Sequence, residues 1–355
     1  MRVLHLDTAT HWGAGQDQVR LLMREIREQK LEQMCLTPAG SQLEARLRTE
    51  FLPVQGVEDS RGPGFRFTRV TMRLAKNADL VHAHDTGALG AGRTAARWRG
   101  LPFVAACREV APDRALQWGR ADRVIAVSAA VRDALVAGGL DEARIRLIHS
   151  GIDAGEIERL PNMIPSLRDR IGVPLGQFLV GAVGSLHGFR NQRLVPQAAA
   201  RARDVAWVVI GDGPDQRAIE AAVAAHGVEA NVRLVGGIMD PRTALRELDI
   251  LVSPAAGEAL GTRVLEAMAI GLPVLATDDA GPAEILGPVH TETGIGLFPP
   301  GDPDALAEAV NRLRNEPQLR ARVAASQKKR VSAFSIDATG KATVTLYREM
   351  TANRR

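Results

Sequence analysis

Residues 248–277, LDILVSPAAGEALGTRVLEAMAIGLPVLAT, decide how the chain is read. Leu251 and Val252 predict a short strand, the glycines after them a loop, the segment from about Thr262 to Ile270 a helix stopped at Gly271, and Pro273–Thr277 a second strand. Two carboxylates lie on this stretch eight positions apart, Glu258 in the loop and Glu266 in the helix. Gly261 and Thr262 stand between them at the helix start, where unpaired backbone N–H groups favour phosphate. One piece of chain thereby offers amides to a diphosphate and carboxylates to sugar hydroxyls. The plainer reading makes Glu258 a solvated loop residue and Glu266 a surface residue of its helix.

The same rhythm runs outward in both directions. Toward the N-terminus, VLHLD, QMCLT, DLVHAH, PFVAA, RVIAV and IRLIHS alternate with helical stretches, one from about Gln16 and one near Ser41–Thr49, which predicts a parallel, doubly wound sheet. FLVGAVGS, VAWVVIGDG, VRLVG, DILVSP and PVLAT repeat the pattern in the second half. The reading is an α/β chain with an N-terminal Rossmann-like domain over 1–153, a connection over 154–175 with Pro161, Pro165 and Pro174, and a C-terminal Rossmann-like domain over 176–334. A final helix occupies 335–355. Two such domains facing each other leave a cleft at the carboxyl ends of their strands, where open α/β sheets bind ligands.

Composition agrees. At 355 residues, with 45% apolar and 24% charged residues, the chain is long enough for two cores and ordinary enough to be globular. No apolar run reaches the length of a membrane span, and MRVLHLD lacks the long apolar core of a secretion signal, so a cytoplasmic location is expected. Cys35 and Cys107 have no metal-ligand company and read as apolar filling. The whole net charge of +4 belongs to residues 1–153, with 22 Lys/Arg against 18 Asp/Glu. An acidic partner or a membrane surface is one meaning of that asymmetry, plain solubility the other; nucleic acid is not expected.

The E-x7-E pair within EALGTRVLEAMAIGLPV resembles the signature of family 4 retaining glycosyltransferases. The resemblance implies a GT-B arrangement of two Rossmann-like domains, with the last helix returning to the first (acceptor-side) domain and the second domain holding a nucleotide-sugar donor. Further stretches carry it. THWGAGQDQVRLL places Gly13 and Gly15 in a loop before a helix, beside the donor diphosphate and acceptor in the family; with Gln18 where a third glycine belongs, it is not a dinucleotide fingerprint. DLVHAH is similar to the family's H-x-H, whose second histidine, here His84, faces the sugar. A pair of histidines without further ligand types argues against a metal, and a satisfied structural imidazole is the plainer reading. VGSLHGFRNQ aligns with G-R-L-x-x-x-K-G, but Ser185 replaces the arginine and Arg190 the lysine, so half the cationic clamp is missing unless Arg263 or His187 supplies charge. Gly211 opens a G-x-G-P turn, and Asp278 and Asp279, leaving a strand in opposite directions, are not a metal pair.

By resemblance, Glu266 holds the donor ribose and Glu258 the sugar hydroxyls, while Arg190 with the amides of Gly261 and Thr262 faces the diphosphate. No cofactor and no metal are expected, the nucleotide sugar being a substrate. The implied reaction is retaining transfer to a glycan or lipid-linked acceptor, in building a cell-surface glycan such as a lipopolysaccharide or polysaccharide. A sugar-nucleotide 2-epimerase of similar architecture and a non-catalytic nucleotide-sugar-binding protein remain open beside it. Residues 65–76, FRFTRVTMRLAK, predict a short helix with Arg66, Arg69, Arg73 and Lys76 along one face. That stripe suits peripheral contact with an anionic membrane, on its inner face, or is simply a solvated surface.

Overall fold

The computed structural model describes residues 1–58 and 64–352; residues 353–355, the end of the expected last helix, lie outside the described set. The chain divides into two compact units, Met1–Ile152 with Phe334–Arg355, and Asp153–Ala333. The first is built on a parallel sheet of seven strands, β1 Arg2–Leu6, β2 Glu32–Pro38, β3 Val54–Val57, β4 Leu80–Ala83, β5 Phe103–Cys107, β6 Arg123–Ala126 and β7 Ile145–Leu147. Their spatial order is β3-β2-β1-β4-β5-β6-β7. The second has six, β8 Leu179–Val183, β9 Ala206–Ile210, β10 Val232–Val235, β11 Ile250–Ser253, β12 Val274–Thr277 and β13 Leu297–Phe298, in the order β10-β9-β8-β11-β12-β13. Both are doubly wound. β3 and β13 were not legible: each is an edge strand, VQGV carrying polar and glycine positions and LF having two residues, so neither shows a buried-strand run.

Central strands bury side chains on both faces, as parallel sheets covered by helices must. In the first unit Val3, Leu80, Val104 and Ile125 meet Leu22 and Ile26 of helix Ala14–Glu28 and Val344 and Tyr347 of helix Ile336–Ala352. In the second, Trp207 and Val209 pack with Val180, Ile219, Val252, Leu275 and Val310. Serine caps set local boundaries: the Ser41 side chain accepts from Glu44 N at 3.2 Å and starts helix Gln42–Thr49.

The stretch 154–175, expected as a connection, contains helices Ala154–Glu158 and Leu167–Ile171 and falls in the second unit. Arg168 holds it there, its Nη2 donating to Asp249 Oδ2 at 2.9 Å and its Nε to the Glu247 carbonyl at 3.0 Å. Among the described residues no helix is long and apolar enough to cross a membrane.

Candidate active site

In each sheet the strand order reverses once, between β1 and β4 in the first unit and between β8 and β11 in the second. Loops leaving neighbouring strands diverge there, which opens a crevice outside the carboxyl ends. Most of the residues singled out in the sequence follow those strands, and Gly211 follows β9.

In the second unit, Ser185 and Arg190 lie in the loop after β8, and Glu258, Gly261, Thr262 and Arg263 after β11. Arg190 Nη1 donates to Glu258 Oε1, and Ser253 Oγ donates to the other carboxylate oxygen at 3.3 Å. Glu258 is only 8% exposed and Glu266 7%, which excludes the solvated reading for both. Arg263 Nη1 donates to Glu266 Oε2 one helical turn along. Two cations and two carboxylates are thus brought together in pairs, while Ser185, on the same loop as Arg190, is exposed and offers no charge. Arg190 Nε is buried without a partner. Helix Thr262–Ala269 begins at Gly261, whose φ of 97° places it in the left-handed region, and has no side-chain cap. Its first-turn amides therefore remain for an anion.

Gly211 has a different reason for being glycine. A Cβ there would lie 1.9 Å from the Gly184 carbonyl oxygen, so the missing side chain serves the close approach of the β8 and β9 ends. That contact accounts for the residue without a ligand.

In the first unit, Gly13 precedes helix Ala14–Glu28, and Gly15 sits in its first turn rather than in the loop; nothing lies within 4 Å of a Cβ built on it. Gln16 Nε2 donates to Asp7 Oδ2 at 3.1 Å, tying the helix start to the end of β1. Burial first and the neighbouring Asp85 second push the Asp7 carboxyl up to about 7, against hydrogen bonds from Gln16 and the Ala9 amide. Asp85 accepts from Thr8 N and Ala88 N, and Arg108 Nη1 donates to the His84 carbonyl at 2.9 Å.

His82 and His84 do lie on one side of the sheet, but the expectation that they lack company is corrected by His5. In the β1–β4 register His5 stands opposite His82, its Nδ1 is 2.9 Å from His84 Nε2, and His82 Nδ1 is 2.5 Å from the Tyr347 hydroxyl. All three rings are buried, with one nitrogen from each within 4.8 Å of the others, a donor set of the kind metals use. Desolvation drives the pKa of His5 down to about 3 and those of His82 and His84 well below the usual imidazole value, so the rings are neutral. His5, Asp7 and Tyr347 escaped sequence reading. The available signal was in MRVLHLD itself: period two puts Val3, His5 and Asp7 on one face, and a polar residue inside a buried strand needs a partner. Tyr347 is 265 positions from His82 and carried no local signal. Cys35 and Cys107 are buried free thiols raised by burial, the latter to about 12, which keeps them protonated.

Comparison with known proteins follows this geometry. Residues 16–156 match the model described as Glycosyltransferase Family 4, and residues 163–330 that described as Glycosyl transferases group 1. The chain is 28% identical over 302 residues to the 2-deoxystreptamine glucosyltransferase of Streptomyces kanamyceticus, covering 77% of each. It is 30% identical over 257 residues to the GDP-mannose-dependent alpha-mannosyltransferase of Mycolicibacterium smegmatis, covering 66% of this chain and 64% of the relative. Among solved structures, Anabaena HepE in complex with UDP and glucose superposes with a TM-score of 0.84 at 21% identity, over 98% of this chain and 100% of the other. Two doubly wound units, E-x7-E carboxylates held by arginines at a switch point, and two family models that together span most of the sequence agree: this chain belongs to the group 1 glycosyltransferases of the family 4 type and has the GT-B fold.

Proposed function

We propose that the enzyme transfers a sugar, with retention of configuration and without a metal, from a nucleoside-diphosphate sugar to a glycan or lipid-linked acceptor. The observation that carries this reading is the Arg190–Glu258 contact beside an uncapped helix N-terminus, at the β8/β11 switch point. Departure of a nucleoside diphosphate requires positive charge where its negative charge develops, and Arg190, Arg263 and the amides of Gly261, Thr262 and Arg263 gather it in one place. Glu266 is assigned to the ribose, Glu258 to the sugar hydroxyls and His84 to the transferred sugar, with Gly13 and Gly15 leaving room for backbone approach. Arg190 and Arg263 each face a glutamate, so the uncapped helix start is the part of this charge that no carboxylate offsets. Diphosphate arrival then redirects Arg190 through its unpaired Nε, which partly offsets the missing arginine at Ser185.

Metal independence is supported by the uncapped helix start beside Arg190 and Arg263, and the histidine nitrogens are read as a hydrogen-bonded set because His5 is engaged with His84 and His82 with Tyr347. The relatives' names speak of UDP and of GDP-mannose, which makes uridine and guanosine donors the first to test. The experiment measures nucleoside diphosphate released from a panel of such donors, with and without cyclitol, glycan and lipid-linked acceptors, in EDTA. Acceptor-dependent release and an α-linked product support the proposal. Conversion of the sugar without acceptor indicates an epimerase, and binding without turnover indicates a non-catalytic protein.

A peripheral membrane role is proposed with it. Helix Phe65–Leu74 exposes Arg66, Arg69 and Arg73, with Lys76 exposed just beyond, while Phe67 and Thr71 are buried and Phe65 is 84% exposed. A basic stripe with an aromatic at its start suits an anionic leaflet.

A further inference from the structure

The first unit carries a cavity apart from its switch-point crevice. It encloses about 590 Å³ and is lined by residues that lead into β5, β6 and β7, so it opens at the amino ends of these parallel strands, whereas the crevice lies at the carboxyl ends. Five arginines stand around it: Arg93 and Arg97 from helix Leu89–Arg99, Arg120 and Arg123 at the entry to β6, and Arg144 just before β7. Asp122 is the one acid in the lining, and its Oδ2 accepts from the Phe103 amide at 2.8 Å. Five cations against one carboxylate leave +4, which equals the whole surplus of residues 1–153, 22 Lys/Arg against 18 Asp/Glu. The rest of that stretch is therefore balanced, and its excess charge is gathered at one cavity.

A solvated surface of mixed charge does not account for this arrangement. Elsewhere on the unit exposed arginines face acids, as Arg2 does Glu32, Arg48 Glu44 and Arg146 Glu349. Around the cavity they do not. Among the described residues the guanidinium groups of Arg93, Arg97 and Arg120 meet no acceptor, Arg123 Nη1 donates to the Asp122 carbonyl at 2.9 Å, and Arg144 Nη2 donates to the carbonyls of Gly119, at 2.8 Å, and Ala121. Arg93 and Arg97 are one helical turn apart, a spacing at which like charges repel. A cation in the last turn offsets the helix dipole, which accounts for Arg97 but for none of the other four.

We propose that this five-arginine cavity is a binding site for a phosphate-rich anion, a di- or oligophosphate either free or carried as a lipid headgroup, separate from the donor site of the second unit. A concave surface of one sign concentrates counter-ions, and free guanidinium forks match phosphate oxygens two at a time. The surplus of four charges calls for several phosphates in one ligand, and the cavity has the size of a small-molecule site.

The probe is inorganic tripolyphosphate, titrated calorimetrically at low salt into the full-length Arg190→Ala protein, a background that keeps the diphosphate site of the second unit from answering for the cavity. Binding should be saturable, tighter than that of citrate, and weakened about tenfold or more when Arg93→Gln, Arg97→Gln and Arg120→Gln are added. These three side chains are exposed and hold nothing in the fold, and if the combination does not fold, Arg120→Gln alone should weaken binding severalfold. No binding, binding undiminished by the substitutions, or citrate bound as tightly as tripolyphosphate overturns the proposal. Flotation with phosphatidylcholine vesicles, with and without phosphatidic acid, then separates the two sources. Flotation that depends on phosphatidic acid and is lost with the three arginines assigns the cavity to a lipid headgroup; flotation that ignores them assigns it to a free oligophosphate.

Discussion

Arg190 faces Glu258 with only 24% of its side chain exposed, and the glutamate side chain with 9%. Arg190→Ala therefore removes an anion contact and strands a buried carboxylate. Binding of nucleoside diphosphate should weaken by about 1.5–3 kcal/mol, roughly 10- to 150-fold in Kd, with the bare nucleoside much less affected. Calorimetry with both ligands measures it, and equal losses would place Arg190 away from the diphosphate. Glu266→Gln should show the reverse preference, since it loses a ribose acceptor while releasing Arg263 from its pair. Glu258 and Glu266 could be singled out together in the sequence because both stand in one short segment. Their arginine partners were legible unequally: Arg263 is three residues from Glu266, whereas the contact of Arg190 with Glu258 spans 68 positions and exists only once β8 and β11 are neighbours.

At the scale of elements, the junction of β8 and β9 is closed by Gly211 against the Gly184 carbonyl. Gly211→Ala must push those loops apart at a φ of 146° that side chains rarely adopt, so the variant should lose on the order of 1–3 kcal/mol of stability, read as a lower urea midpoint. An unchanged midpoint would show that the β8 loop yields freely. Helix Phe65–Leu74 is a second element, and its proposed membrane contact is tested separately. Its cations bring about 1 kcal/mol each near an anionic leaflet, so the wild type should float with anionic vesicles at low salt and not at high salt. Replacing Arg66, Arg69, Arg73 and Lys76 with Gln should abolish flotation, and undiminished flotation would remove this helix from membrane contact. Its periodicity was plain in sequence because one face is charged and exposed. Strands β3 and β13 were not, because VQGV carries polar and glycine positions and LF has only two residues.

The molecule as a whole should respond to acid through its buried histidines. His5 is held near 3 and His82 and His84 well below 6.5, so protons bind the unfolded chain first as pH falls below about 6.5, and stability drops. Asp7 acts in the opposite sense, since its folded pKa of about 7 exceeds the ordinary 3.8 and its retained proton adds stability as pH falls through 7. Three histidines outweigh one aspartate. The urea midpoint of the first unit should fall between pH 6.5 and 4, and His82→Phe should flatten that fall; a flat or rising midpoint would contradict the buried, neutral cluster. Two doubly wound units were legible from strand and helix rhythm, because parallel sheets impose that rhythm on sequence, while the histidine cluster was hidden because β1 and β4 meet only through the crossover order. The central claim is that a nucleoside-diphosphate site stands at the β8/β11 switch point and needs no metal. Calorimetric titration of UDP and GDP into the wild type in EDTA tests it most directly. The account predicts saturable binding of at least one of the two, weakened about tenfold or more by Arg190→Ala; no binding by either, or binding that appears only with a divalent cation, would contradict it.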